Sequence, residues 1–173
     1  MAQNKIIQQL ANDLISIDDN VVLNALTVIR QKGDSSLVHQ LVQLLNHSNP
    51  EITENAKKVL FDLKDKQAVN ALLNEFDTIQ DAGVRNIILQ SLWQSNICPV
   101  NSISRLVQIA VSSNLEDCIE VYSIITNIID EKIPESEIME SLFIINTNID
   151  KIKDKHQKQL INDIAVFLNT QEH

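Results

Sequence analysis

The chain has 173 residues, 44% of them hydrophobic, which is enough to bury a core as one domain. Two glycines and three prolines leave too little turn-forming material for a sandwich or a barrel, so an almost entirely helical fold is expected. Fourteen basic against 23 acidic residues give a net charge of −9, which disfavours the phosphate contacts of nucleic-acid binding.

The opening "MAQNKIIQQLAND" has neither the basic segment nor the apolar run of a secretory signal. No stretch approaches the roughly 18 uninterrupted apolar residues of a membrane span, so a cytoplasmic location is expected. Within that opening, Ile6 and Leu10 mark a first helix near 4–15, and Asp18 followed by Val21 caps a second near 19–32. Leu37, Leu41 and Leu44 mark the next, near 35–46; Asn49, Pro50 and Ile52 start its partner near 50–63, with proline where its missing donor costs nothing. Val69, Leu73 and Phe76 predict a helix near 67–78, and Asp81 with Val84 one near 82–95. Ile103, Val107 and Ala110 predict 101–112, followed by 115–130; Ile138, Leu142 and Ile145 predict 135–148, followed by 152–169.

The leading apolar residues of the first helices are 31, 32, 34 and 35 positions apart, and the caps of the first three second helices are 31 and 32 apart. One repeated helix pair therefore accounts for both series. Short connections such as "SSN" at 112–114 and "EKIP" at 131–134 leave no dividing linker. A single domain over 1–173 is expected, with repeats near 4–32, 35–63, 67–95, 101–130 and 135–169.

The stretch "KGDSSLVHQLVQLLNHSNPEITENAKKVL" is where a resemblance becomes specific. It is similar to a HEAT repeat of the short, bacterial type in Gly33-Asp34, leucines 37, 41, 44 and 45, the cap-Pro-Glu-Ile turn, Ala56 and Val59-Leu60. Weaker copies extend along the chain, the fourth and fifth units matching by helix spacing alone. The family's frequent valine-arginine pair survives only as Val84-Arg85, with Val21-Val22 and Ile52-Thr53 at the same place elsewhere. The resemblance implies an all-α, right-handed α-α superhelix, a HEAT-like solenoid of about five antiparallel helix pairs. It also implies a non-enzymatic scaffold or interaction module that binds a protein partner on its second helices. Some proteins of this fold are alkylpurine DNA glycosylases or bilin lyases. This acidic chain, 3% aromatic, lacks the basic aromatic groove that a glycosylase resembles, and no residue points to a lyase. The alternative function is an accessory subunit of an enzyme such as a lyase, active only in a complex.

No catalytic residue, metal or cofactor is expected. Cys98 reads as a loop thiol and Cys118 as a packing residue, and no cysteine–histidine signature or strand–turn–helix elbow accompanies them. His39, His47, His156 and His173 include no pair at the spacing that brings two imidazoles to one metal. Glu116, Asp117, Glu135 and Glu137 fall in first turns, where they complement the helix dipole. The run Lys151 to Lys158 reads as a solvated helix start, and Gly33 and Gly83 stand too far apart for a phosphate loop.

Counted from the Val21/Ile52/Val84 column as zero, core positions on the second helices are +0, +4, +7 and +8. These are Val21, Ala25, Val28 and Ile29; Ile52, Ala56, Val59 and Leu60; Val84, Ile88, Ser91 and Leu92. Position +9 lies on the opposite face and holds Arg30, Phe61 and Trp93. The flanking positions add Leu23, Leu26, Lys57, Arg85 and Leu89 to a candidate partner-binding surface. Large aromatics beside arginines are what interfaces use. The competing expectation is that Phe61 and Trp93, in last turns, fold under the loops "LKDKQ" and "NICPV". A monomer is slightly favoured, because polar residues flank the first and last helices.

Overall fold

The second helices begin on Asp or Asn side chains. Asp18 accepts from the backbone N–H of Asn20 at 2.9 Å at the head of α2 (Asp19–Lys32). Asn49 accepts from Glu51 N at 2.9 Å at α4 (Pro50–Phe61), and Asp81 from Val84 N at 2.9 Å at α6 (Ala82–Gln94). Asn114 and Asp154 accept from Asp117 N and Gln157 N, each at 2.8 Å, at α8 (Leu115–Thr126) and α10 (Lys155–Thr170). Each such bond satisfies a donor that the first helical turn leaves unpaired. Pro50 occupies the first helical position, as expected.

The first helices are α1 (Ala2–Leu14), α3 (Val38–Gln43), α5 (Ala68–Thr78), α7 (Ile103–Ser112) and α9 (Glu135–Asn148). None of α3, α5, α7 and α9 has a side-chain cap at its own N-cap residue. Short 3₁₀ turns extend several of them: Ser35–Leu37 and Leu44–Asn46 at the two ends of α3, Val100–Ser102 before α7, and Ile149–Lys151 after α9. This computed structural model describes residues 2–32, 35–95, 97, 99–128 and 131–171, and among them there is no strand. Gly33-Asp34, Cys98 and His173 lie outside the described residues.

Contacts divide the chain into two compact units, Met1–Ile97 and Cys98–His173. In the first, α1, α3 and α5 pack in succession as one layer, and α2, α4 and α6 as another; each first helix also packs on its own second helix. In the second unit α7 packs on α9, α8 on α10, and each pair closes on itself. Both units thus have the two-layer, all-α architecture of stacked HEAT-like pairs. Polar ties between successive repeats reinforce the stacking. Asn49 donates from Nδ2 to Asp19 Oδ2 at 2.6 Å, and His39 Nδ1 lies 3.0 Å from Glu75 Oε1.

α7 is capped from a distance. Glu137 Oε2 of α9 accepts from the backbone N–H of Ser104 at 2.8 Å, which serves the start of α7. Gln157 Nε2 of α10 donates to the carbonyls of Ala110 and Ser113 at 2.8 and 2.9 Å, which serves its end. The helix that supplies no cap of its own is completed by the pair that follows it.

The core follows the expected columns on α4, where Ile52, Ala56, Val59 and Leu60 are all buried, and on α6, where Val84, Ile88, Ser91 and Leu92 are. On α2 the buried line is turned: Val22, Ala25, Leu26 and Ile29 are inside, Val21 is half-buried and Val28 is exposed. The stacking explains the turn. Leu26 and Val28 lie on opposite flanks of the Ala25–Ile29 line. In its layer α2 packs on α4 alone, so only the flank that carries Leu26 is covered. Similar shifts occur on α1, where Leu10 and Leu14 are buried but Ile6 is exposed, and on α9, where Ser141 rather than Leu142 joins Ile138 and Ile145 inside.

Candidate functional site

The outward side of the second helices in Met1–Ile97 is built from the same columns. Arg30, near the end of α2, donates from Nε to Asp62 Oδ2 at the C-terminus of α4. Both partners are about half exposed, with side-chain accessibilities of 51% and 44%, so the pair orders the surface more than it stabilises the fold. One turn before Phe61 on the same face, Lys57 holds its Nζ 5.5 Å from the centre of the Phe61 ring. That ring is part-exposed, and the lysine stem and ammonium cover one side of it. Glu54 and Lys58 sit 4.0 Å apart one turn from each other on the same helix.

Trp93 is 39% exposed, while Leu92 beside it is 1% exposed. The repeat phase therefore separates the two neighbours as expected. Trp93 is thus not fully buried; the loop expected to cover it includes Asn96 and Cys98, which lie outside the described residues, and Ile97 in that loop is itself buried. Leu23 is half-buried.

Leu26 and Leu89 belong to the core and not to this surface; they are 1% and 0% exposed. A helix inside a stack is contacted by its own first helix and by neighbours in its layer, so it buries an arc wider than one stripe. Position +5 falls inside that wider arc on α6 and on the turned buried line of α2, and side chains that see no solvent cannot meet a partner. Arg85 also differs from its expected role, because its guanidinium carbon lies 4.4 Å from the centre of the Phe76 ring on α5. It ties α6 to the first-helix layer. Of the eight candidate residues, Leu23, Arg30, Lys57, Phe61 and Trp93 thus remain on the outward side. Val28, expected inside, joins them.

Several exposed apolar residues were missed in the sequence: Ile15 and Ile17 in the α1–α2 turn, Ile119 on α8, Met139 and Phe143 on α9, and Val166 on α10. Those on helices are open to the same phase count that separates Trp93 from Leu92. The turn residues carry no periodic signal.

Among the described residues no group of three or more His, Cys, Asp or Glu could hold a metal ion, and no helix is long and apolar enough to cross a membrane. Cys118 is fully buried on α8, and its thiol pKa is pushed up to about 11, by burial first and by the negative charge of Asp154 second. Such a thiol is a packing group rather than a nucleophile. His39 and His156 are exposed, and His47 is half-buried, its Nδ1 accepting from Asn49 N at 3.1 Å in the turn before α4. Glu116 and Asp117 stand in the first turn of α8, Glu135 and Glu137 in that of α9. Asp117 is buried, and Glu137 serves α7.

A family model described as HEAT repeats matches residues 4–93, more than half of the chain and the whole of the Arg30–Phe61–Trp93 column. No curated protein matches the chain. HEAT repeats commonly mediate protein–protein interaction or scaffolding, and the fold is typically non-catalytic.

Proposed function

Because the chain belongs to the HEAT-repeat family, we propose that it is a non-enzymatic interaction module that receives a protein partner on the outward side of α2, α4 and α6, with Trp93 as its anchor. The observation that carries this reading is the exposure of Trp93 next to a fully buried leucine. A tryptophan left in water forgoes more apolar burial than almost any other side chain, and interfaces are enriched in it for the same reason. Phe61 with its lysine cover and Arg30 with its fixed aspartate give the surface a preorganised apolar and charged border.

Trp93 is the sole tryptophan, so its emission reports on this surface directly. In the isolated chain acrylamide should quench it readily, and partner binding should shield it and shift the emission to the blue. Affinity capture from the source cell should retain a discrete protein on the wild-type chain that Trp93→Ala loses at unchanged helicity. Equal retention by Trp93→Ala would overturn the surface, and retention of no protein by the wild-type chain would overturn the function.

A further inference from the structure

A second face, in the unit Cys98–His173 and independent of the reading above, is carried by α9. Ile138, Ser141 and Ile145 form the buried line of this helix, toward α7 and α10. At about 100° per residue, Phe143 points roughly 170° from the middle of that line and Met139 roughly 130°. They are 70% and 63% exposed. Among the large hydrophobic residues exposed in the described chain, they are the pair that adjoins one turn apart on a helix. A helix that is apolar on opposite sides is ordinarily covered on both. Single exposed hydrophobics need no explanation, whereas two large ones that adjoin one turn apart form a ridge that a partner can cover.

The charge around the ridge selects its occupant. From Glu135 to Asn148 there is no lysine or arginine, and Glu135 and Glu140, on the exposed side, bracket Met139. A second copy of a chain with net charge −9 would bring more negative charge to this place. A ridge on one helix fits the grooves between side-chain rows of another. Met139 adds a flexible, polarisable contact that adapts to different apolar side chains.

We propose that the outer face of α9 docks a basic amphipathic helix of a partner protein, its apolar stripe on Met139 and Phe143 and its Lys or Arg residues toward Glu135 and Glu140.

The test uses the full chain and a fluorescein-labelled amphipathic helix of leucine and lysine alone, with a leucine–glutamate helix of equal length as its counterpart, read by fluorescence anisotropy. The lysine helix should bind and the glutamate helix should not. Replacing Met139 and Phe143 together by serine should weaken binding roughly tenfold or more, and Met139→Ser alone about threefold. Glu135→Gln with Glu140→Gln should weaken it and flatten its salt dependence. Ile119→Ser and Trp93→Ala should leave it unchanged; for Trp93→Ala, this separates the α9 face from the surface around Trp93. All side chains changed are exposed, so far-UV circular dichroism should not alter. Failure of the lysine helix to bind, binding that the serine variants leave intact, or equal weakening by Ile119→Ser would overturn the proposal. So would a wild-type dimer that Phe143→Ser makes monomeric, because the occupant would then be a second copy.

Discussion

Gln157 is the side chain on which the end of α7 depends. It is buried on α10, and its single amide nitrogen donates to two carbonyls, Ala110 O and Ser113 O, at the point where α7 runs out of internal donors. Gln157→Ala removes both bonds and leaves both oxygens facing a space the amide had filled. Each hydrogen bond contributes about 1 kcal/mol net, and a buried polar group left unpaired adds about 1–3 kcal/mol. A loss of about 3–5 kcal/mol is expected. Urea unfolding followed by far-UV circular dichroism measures it; with a slope of about 1–3 kcal/mol per molar, the midpoint should fall by about 1 M or more. Gln157→Glu has nearly the same volume but aims a carboxylate at two carbonyl oxygens, so its loss should exceed that of alanine at neutral pH. Acidification should then reduce the loss, because the protonated acid regains one donor. A Gln157→Ala loss below about 0.5 kcal/mol, the range of ordinary surface changes, would refute the reasoning. So would a Gln157→Glu variant that behaves like alanine at every pH.

Asp65 is held below its ordinary pKa of 3.8, first by the Ser35 hydroxyl and then by the backbone N–H of Gln67, which donates at 2.9 Å. A depressed carboxyl stabilises the fold above its unfolded value and loses that contribution as pH falls through the folded one. Ser35→Ala should move its NMR titration midpoint upward toward 3.8, and an unmoved midpoint would remove the Ser35 bond as the cause. Cys118 is displaced in the opposite direction, from 9.0 to about 11, so its contribution is complete below 9.0 and is lost as pH rises across that interval. In a Cys98→Ser background, Cys118 should consume no Ellman's reagent at mildly alkaline pH until urea unfolds the chain, and prompt reaction of the folded protein would contradict its burial.

The parts of this fold that could be read along the chain are those whose causes lie within one turn. Asp18, Asn49 and Asp81 cap helices that begin one residue later, and the structure places the expected bond at each. The core lines of α4 and α6 follow from helical phase because those helices obey the spacing from which the columns were drawn. What escaped is what depends on neighbours. Leu26 and Val28 exchange places because α2 is covered on one flank by α4, and nothing within α2 announces which flank that is. Leu89 is inside because α6 buries a wider arc than a single stripe. The first helices make the same point more sharply. α7 draws its N-terminal acceptor from Glu137, 33 residues onward from Ser104, and its C-terminal donor from Gln157, 47 and 44 residues beyond Ala110 and Ser113. Glu137, which looks like a dipole-compensating acid of its own helix α9, does its structural work for α7. In this stack the second helices carry local signals, and α7 among the first helices is completed by the pair that follows it. Exposed apolar residues such as Trp93, Met139 and Phe143 are therefore where a partner should be sought.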